Sequence, residues 1–179
     1  YPDCENPKEK MQYIKSLGLP GIKIHPDYQG VFIDDVRFMN IIEYADALDL
    51  IILTHAGMDI GLPEPVHCPP KRMRAVLDQL QPKRMVLAHL GGWKQWDAVE
   101  EYLAGENVYL DTAFTFDYIS EEAFYKIWKK HDKEKILFAT DSPWSSAAHT
   151  ISQVNALNLS LQEKENIFSN NAKKLLRFV

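Results

Sequence analysis

Two hydrophobic patterns alternate along this chain. Aliphatic runs of four or five residues read as buried strands. Between them, apolar residues return every three or four positions, as on one face of a helix. Strands are expected at Gly21 to His25, Leu50 to Thr54, Arg84 to Ala88, Asn107 to Leu110 and Lys135 to Ala139. Helices are expected from Pro7 to Leu17, with Gly18 as its stop, and from a cap at Asp34 or Asp35 to Leu48. Further helices run from Pro69-Pro70 through Leu80, from Lys94 to Ala104, from a Ser120 cap through Lys130 and from Ala147 to Ala156. Ser160 with Glu163 forms a capping box for another, and Asn170 or Asn171 caps a last one ending near Leu176. Tyr28 to Ile33 and the proline-rich stretch Gly57 to Pro70 read as loops. A loop as long as the second is usually functional.

No hairpin signal interrupts the alternation, so the strands are expected to run parallel with right-handed crossovers. The fold class is α/β, a (β/α)8 barrel incomplete as given, in one domain over residues 1–179. A closed barrel of this type has eight strands in about 250 residues. This chain has 179 residues, opens at Tyr1 and offers five strands.

Three of the strands end on chemistry. ILFATDSPW carries Asp141, LIILTHAG ends at His55 and RMVLAHLGG ends at His89. A carboxylate and two imidazoles suit a divalent metal, with zinc the first choice and an open position kept for water. His25 closes the first strand, and Lys23 shares its face by period-two alternation. Asp111 closes the fourth strand, where a plain turn explains it equally well. Trp93, Trp96 and Trp144 follow the His89 and Asp141 strands and could wall a pocket, although core is the better reading for Trp96. His67 and Cys68 suit a surface loop, His131 suits a cation at a helix C-terminus, and His149 suits a surface helix.

Composition narrows the partners. Hydrophobic residues make 46% of the chain, charged residues 25%, and the net charge is -5. No basic cluster favours nucleic acid, and the most apolar stretch, around Leu48 to Leu53, is too short to span a bilayer. Cys4 and Cys68 form no CxxC pair, which suits a reducing, cytoplasmic setting.

Taken in order, GIKIHP, THAG, LAHLGG, NVYLDT and ILFATDSPW resemble the amidohydrolase superfamily, in its branch of TIM-barrel metal-dependent hydrolases and decarboxylases. The resemblance implies that His55 and Asp141 ligate the metal. It makes His89 a second-metal ligand or a group that polarises substrate and shuttles protons. His25, Lys23, Trp144 and Asp111 are then candidates for substrate contact. It also implies that GIKIHP is strand four, so that strands one to three, with a His-x-His pair this sequence lacks, are expected before Tyr1. Unpaired flanking strands would favour a homo-oligomer. The expected activity is hydrolysis of a C–N or C–O bond of a small molecule by metal-activated water. The alternatives are decarboxylation of a small carboxylic acid and a non-catalytic truncated barrel. A barrel nuclease is disfavoured by the acidic charge.

Overall fold

The computed structural model describes residues 1–62 and 64–178. Five parallel strands lie in one sheet in chain order. They are β1 (Gly21–Ile24), β2 (Ile51–Thr54), β3 (Met85–Leu87), β4 (Tyr109–Asp111) and β5 (Ile136–Leu137). Helices α1 (Pro7–Ser16), α2 (Pro26–Gln29), α3 (Val36–Ala47), α4 (Pro70–Leu80), α5 (Trp96–Tyr102) and α6 (Glu121–Lys130) fall between strands or before them. After β5 come α7 (Ala147–Ala156), α8 (Leu161–Glu165) and α9 (Asn171–Leu176), the last two joined by a π-helical turn over Asn166–Asn170. Among the described residues no helix is long and apolar enough to cross a membrane.

Register follows from side-chain parity. Ile24 pairs with Thr54, Thr54 with Leu87, Leu87 with Leu110, and Asp111 with Leu137. Residues that follow these pairs therefore emerge at one level, at the C-terminal end of the sheet. Ile52, Met85, Leu87, Leu110 and Ile136 are buried in the main core with Phe38, Ile42, Met73, Val99, Phe124 and Ile127 of the helices. Leu53, Val86, Tyr109 and Leu137 join a second, smaller cluster with Leu175 and Ala172 of α9. β1 pairs only with β2, and β5 only with β4, so each flanking strand keeps one edge unpaired among the described residues.

Several elements differ from expectation. Tyr28 does not open a loop, because α2 forms directly after His25, with Pro26 at its first position. Helix α5 is shorter than Lys94 to Ala104, since Lys94 takes a left-handed φ of 55°. β5 ends at Leu137, two residues before the expected Ala139. Phe138 N instead donates to Ile167 O at 2.9 Å, which draws the chain off the ladder toward the π-helical turn. Thr112 Oγ1 then donates to Ala139 O and accepts from Ala139 N, both at 3.0 Å, extending the pairing by a side chain. Asp141 thus stands in a loop beyond the strand. The Ser160–Glu163 capping box forms as expected. Asn171 caps nothing: its buried amide donates to Lys133 O and Ile136 O, both at 2.8 Å, and ties α9 to β5.

His131 also departs from its expected role as a cation at a helix C-terminus. It is 1% exposed, accepts from Gly105 N at 3.2 Å through Nδ1, and donates to Val108 O at 3.0 Å through Nε2. Burial pushes its pKa down to about 4 from the ordinary 6.5. The unfolded chain binds a proton here near pH 6.5, and the folded chain does so only near pH 4. The stabilising contribution is complete above pH 6.5 and is lost as the pH falls through that window, by about 3 kcal/mol. Urea titrations from neutral to acid pH should show a shallower loss in His131→Gln than in the parent. Parallel curves would remove His131 as a source of acid lability.

Candidate active site

The register that aligns Ile24 with Thr54 sets His25 beside His55, one strand spacing apart. Their rings stack, with centroids 4.2 Å apart and planes within 10°. His89 reaches the row by a different route. Ala88 is still extended, but His89 and Leu90 have φ of 60° and 53°, and Gly91 follows at 84°. This left-handed kink turns the His89 ring toward His55, bringing His89 Nε2 to 3.1 Å from His55 Nδ1. Asp111 holds the kink from beneath. Its Oδ1 accepts from His89 N at 3.0 Å and from Ala113 N at 2.9 Å. Non-glycine residues pay for left-handed backbone, and such strain collects at functional sites. Asp141, with φ of 60°, shares the feature.

A cavity of about 380 Å³ opens above these residues. Lys23, His25, His55, His89 and Asp141 line it, with Trp93, Phe114 and Trp144 among the aromatic walls. Trp93 Nε1 donates to Phe114 O at 3.2 Å, which fixes one wall. Asp59 enters from the loop after β2, with Oδ2 3.4 Å from His25 Nε2. Ligating atoms of His25, His55 and Asp59 all lie within 4.8 Å of one another.

The electrostatics favour neutral imidazoles. Burial first, then the neighbouring His89, His25 and Lys23, hold the His55 pKa down to about 2. Burial also lowers His25, against the pull of Asp59. A neutral ring keeps a lone pair for a metal. Lys23 is solvent-exposed where it lines the cavity, yet protein crowds its ammonium; desolvation lowers its pKa while Asp111 and Asp141 pull it up. Asp111 is pushed up by burial, with His89 opposing. Two or three imidazoles and a carboxylate, nitrogen and oxygen donors aimed at one cavity, fit a divalent metal of the manganese-to-zinc series.

Of the residues expected from sequence, His25, His55, His89, Lys23, Asp141 and Trp144 all reach this cavity. Asp141 stands at its rim, exposed, and outside the compact group formed by His25, His55 and Asp59. Asp111 lines no part of the cavity wall and instead lies under His89. Trp96 is core, with Nε1 donating to His89 O at 3.1 Å. Cys68 is fully buried, and His67 is pinned by Asp27 at 3.2 Å, so neither belongs to a free surface loop. His149 sits exposed in α7, paired with Asp117. Asp59 and Phe114 were not singled out by the sequence. The one available signal for Asp59 was its place in the long loop just after THAG.

The family model for amidohydrolases matches residues 5–178, and the chain belongs to that family. Its strands and helices are those of the TIM-barrel amidohydrolase fold. A dihydroxybenzoic acid decarboxylase from Polaromonas sp. JS666, with bound manganese and 2-nitroresorcinol, is similar at a TM-score of 0.67 and 17% identity, over 96% of this chain and 64% of that one. A 5-carboxyvanillate decarboxylase from Sphingomonas paucimobilis gives 0.72 and 17%, over 98% and 64%. The D314N mutant of a 5-carboxyvanillate decarboxylase from Novosphingobium aromaticivorans, with manganese and 3-methoxy-4-hydroxy-5-nitrobenzoic acid, gives 0.74 and 16%, over 98% and 62%. The chain therefore spans less than two thirds of each of these proteins. No curated protein matches its sequence.

Proposed function

We propose that this chain belongs to a divalent-metal-dependent decarboxylase acting on a small aromatic carboxylic acid. The observation that carries the reading is the convergence of three histidines and Asp141 on a cavity with aromatic walls. The similar structures support it, since all three are decarboxylases of hydroxylated benzoic acids and two hold manganese. In this reading His55 and Asp141 bind the metal, as the family resemblance implies, and His89 lies beside them, its Nε2 3.1 Å from His55 Nδ1. When bound, the metal would stabilise negative charge on substrate oxygens.

The remaining roles belong to the chain's own groups. Trp93, Phe114 and Trp144 line the cavity and offer aromatic surface to a flat ring. Lys23 and His25 offer positive or hydrogen-bonding character to a carboxylate. The ring–carboxylate C–C bond breaks, its electron pair stays on the ring carbon and CO2 leaves. A proton must then reach that carbon. His89 is suited to pass it, since Asp111 and Ala113 O fix its orientation. Asp141 at the rim is the other acid within reach.

Incubation with Mn2+ and a panel of ortho-hydroxybenzoic acids should release CO2, measured by coupled assay. Zinc is the second metal to test. Hydrolysis of amide or lactone substrates with no CO2 would instead return the assignment to metal-activated water.

A further inference from the structure

The loops that follow β4 and β5 are fastened to each other away from the chemistry. Asp117, in the loop after β4, accepts from His149 Nε2 at 2.9 Å through Oδ1 and at 3.2 Å through Oδ2. Gln153 Nε2 donates to the same Oδ1 at 2.7 Å. His149 and Gln153 stand one helical turn apart on α7, so one carboxylate clasps one face of that helix. Among the described residues, these are the hydrogen bonds that join residues 112–120 to α7. Both ends of the clasp lead to cavity walls. On one side, Tyr118 N and Ile119 N donate to Thr115 O at 3.0 and 3.1 Å, closing Asp117 into a turn just after Phe114. On the other, Ser145 Oγ lies 3.2 Å from Thr150 Oγ1, both residues being buried, and Ser146 Oγ accepts from His149 N at 3.2 Å. The first turn of α7 is thereby tied to the residues directly after Trp144. Phe114 has a left-handed φ of 48°, a conformation that persists only where its surroundings fix it.

We propose that Asp117, His149 and Gln153 are positioning residues that set the approach of Trp144 to Phe114 and so determine how tightly the cavity holds a flat aromatic ring. The inference rests on the substrate site proposed above. Asp141 is held separately, because Thr112 Oγ1 bonds both N and O of Ala139, two residues before it. Loss of the clasp should therefore loosen the walls and spare the chemistry. The side chains of His149 and Asp117 are both about half exposed, so the pair adds little to global stability. His149 donates through Nε2 as a neutral or a protonated ring, so the clasp needs no particular charge on it.

Hydrogen exchange of the full chain, read by mass spectrometry and paired with CO2-release kinetics at saturating Mn2+, tests the clasp. In Asp117→Ala, amides of residues 114–119 and 144–150 should exchange about fivefold faster, the worth of an exposed ion pair, while those of β3 and β4 keep the parent rate. KM should rise by about the same factor, and kcat should stay within about twofold. Gln153→Ala should move both readouts in the same direction. Asp117→Asn, which keeps an oxygen for both donors, should restore them. Urea midpoints of all three variants should match the parent's. Unchanged exchange in Asp117→Ala would overturn the inference, as would faster exchange with an unchanged KM, or a fall in kcat at constant KM. A lowered urea midpoint that Asp117→Asn fails to restore would reduce the cluster to fold support. If no acid releases CO2, decarboxylation falls, and the affinity for 2-hydroxybenzoate, followed by quenching of tryptophan fluorescence, takes the place of KM; no binding by the parent would overturn both readings. CO2 release with KM unmoved by any variant would sink the clasp alone.

Discussion

Asp141→Asn should lower turnover by about 10²- to 10⁴-fold, the range over which a positioned acid or base acts, on whichever acid the CO2 assay identifies. The chain should otherwise stay intact. Asp141 is exposed and packs into no core, so the change in stability should stay within about 0.5 kcal/mol. The two readouts must separate: steady-state kinetics with saturating Mn2+ for the first, chemical denaturation for the second. Asparagine keeps the size and one oxygen of aspartate, yet it cannot carry the negative charge or exchange a proton. Turnover within a few-fold of the parent would take Asp141 out of the chemistry and leave the cavity to its histidines.

Among the glycines, Gly57→Ala should be the most damaging substitution. Gly57 has φ of 86°, and a Cβ built there would stand 2.2 Å from Trp93 N, 2.5 Å from Gly92 C and 2.6 Å from Trp93 O. All three are backbone atoms, which no side-chain rotation can move aside. They are also bonded in place: Trp93 N donates to Ala56 O at 2.9 Å, Met58 N to Trp93 O at 3.1 Å, and Gly57 N to Cys68 O at 2.9 Å. The loops after β2 and β3 are stitched together here, with His55 two residues before the seam. Left-handed strain alone costs roughly 1–3 kcal/mol. With the clash added, the expected loss is on the order of 4 kcal/mol, read as a fall in the urea midpoint. A loss under about 1 kcal/mol would mean that the two loops part easily and that the seam does not position the site.

Much of this was legible in the sequence, for identifiable reasons. The strands announced themselves through continuous aliphatic runs such as Leu50 to Leu53, in which Leu50 and Ile52 enter the main core and Ile51 and Leu53 lie half-buried against the smaller cluster. His55 and His25 followed directly, since each comes immediately after a strand and parity decides its face. His89 was found by motif, but its orientation was not. Parity fails once the backbone turns left-handed at His89, and nothing in LAHLGG fixes which way the ring swings. Asp111 looked like a wall residue because it ends a strand. Its actual place under His89 depends on backbone amides from two segments. β5 was overextended because Phe138 is apolar, and an apolar residue cannot say whether its N–H bonds a neighbouring strand or Ile167 O. Asp59 escaped notice because loop shape, not periodicity, brings it to the histidines. The helix end suggests a cation at His131, whereas Gly105 N and Val108 O engage both ring nitrogens of a buried imidazole.

The three imidazoles form one electrical unit. His55 touches His25 on one face and His89 on its edge, so a charge or a lost ring at either end is felt at the other through the middle. Single substitutions in the row will not partition into private contributions. The combined effect of altering His25 and His89 should depart from the sum of the separate effects, as for any residues in direct contact. A binding or rate constant attributed to one ring is, in this chain, a property of the trio.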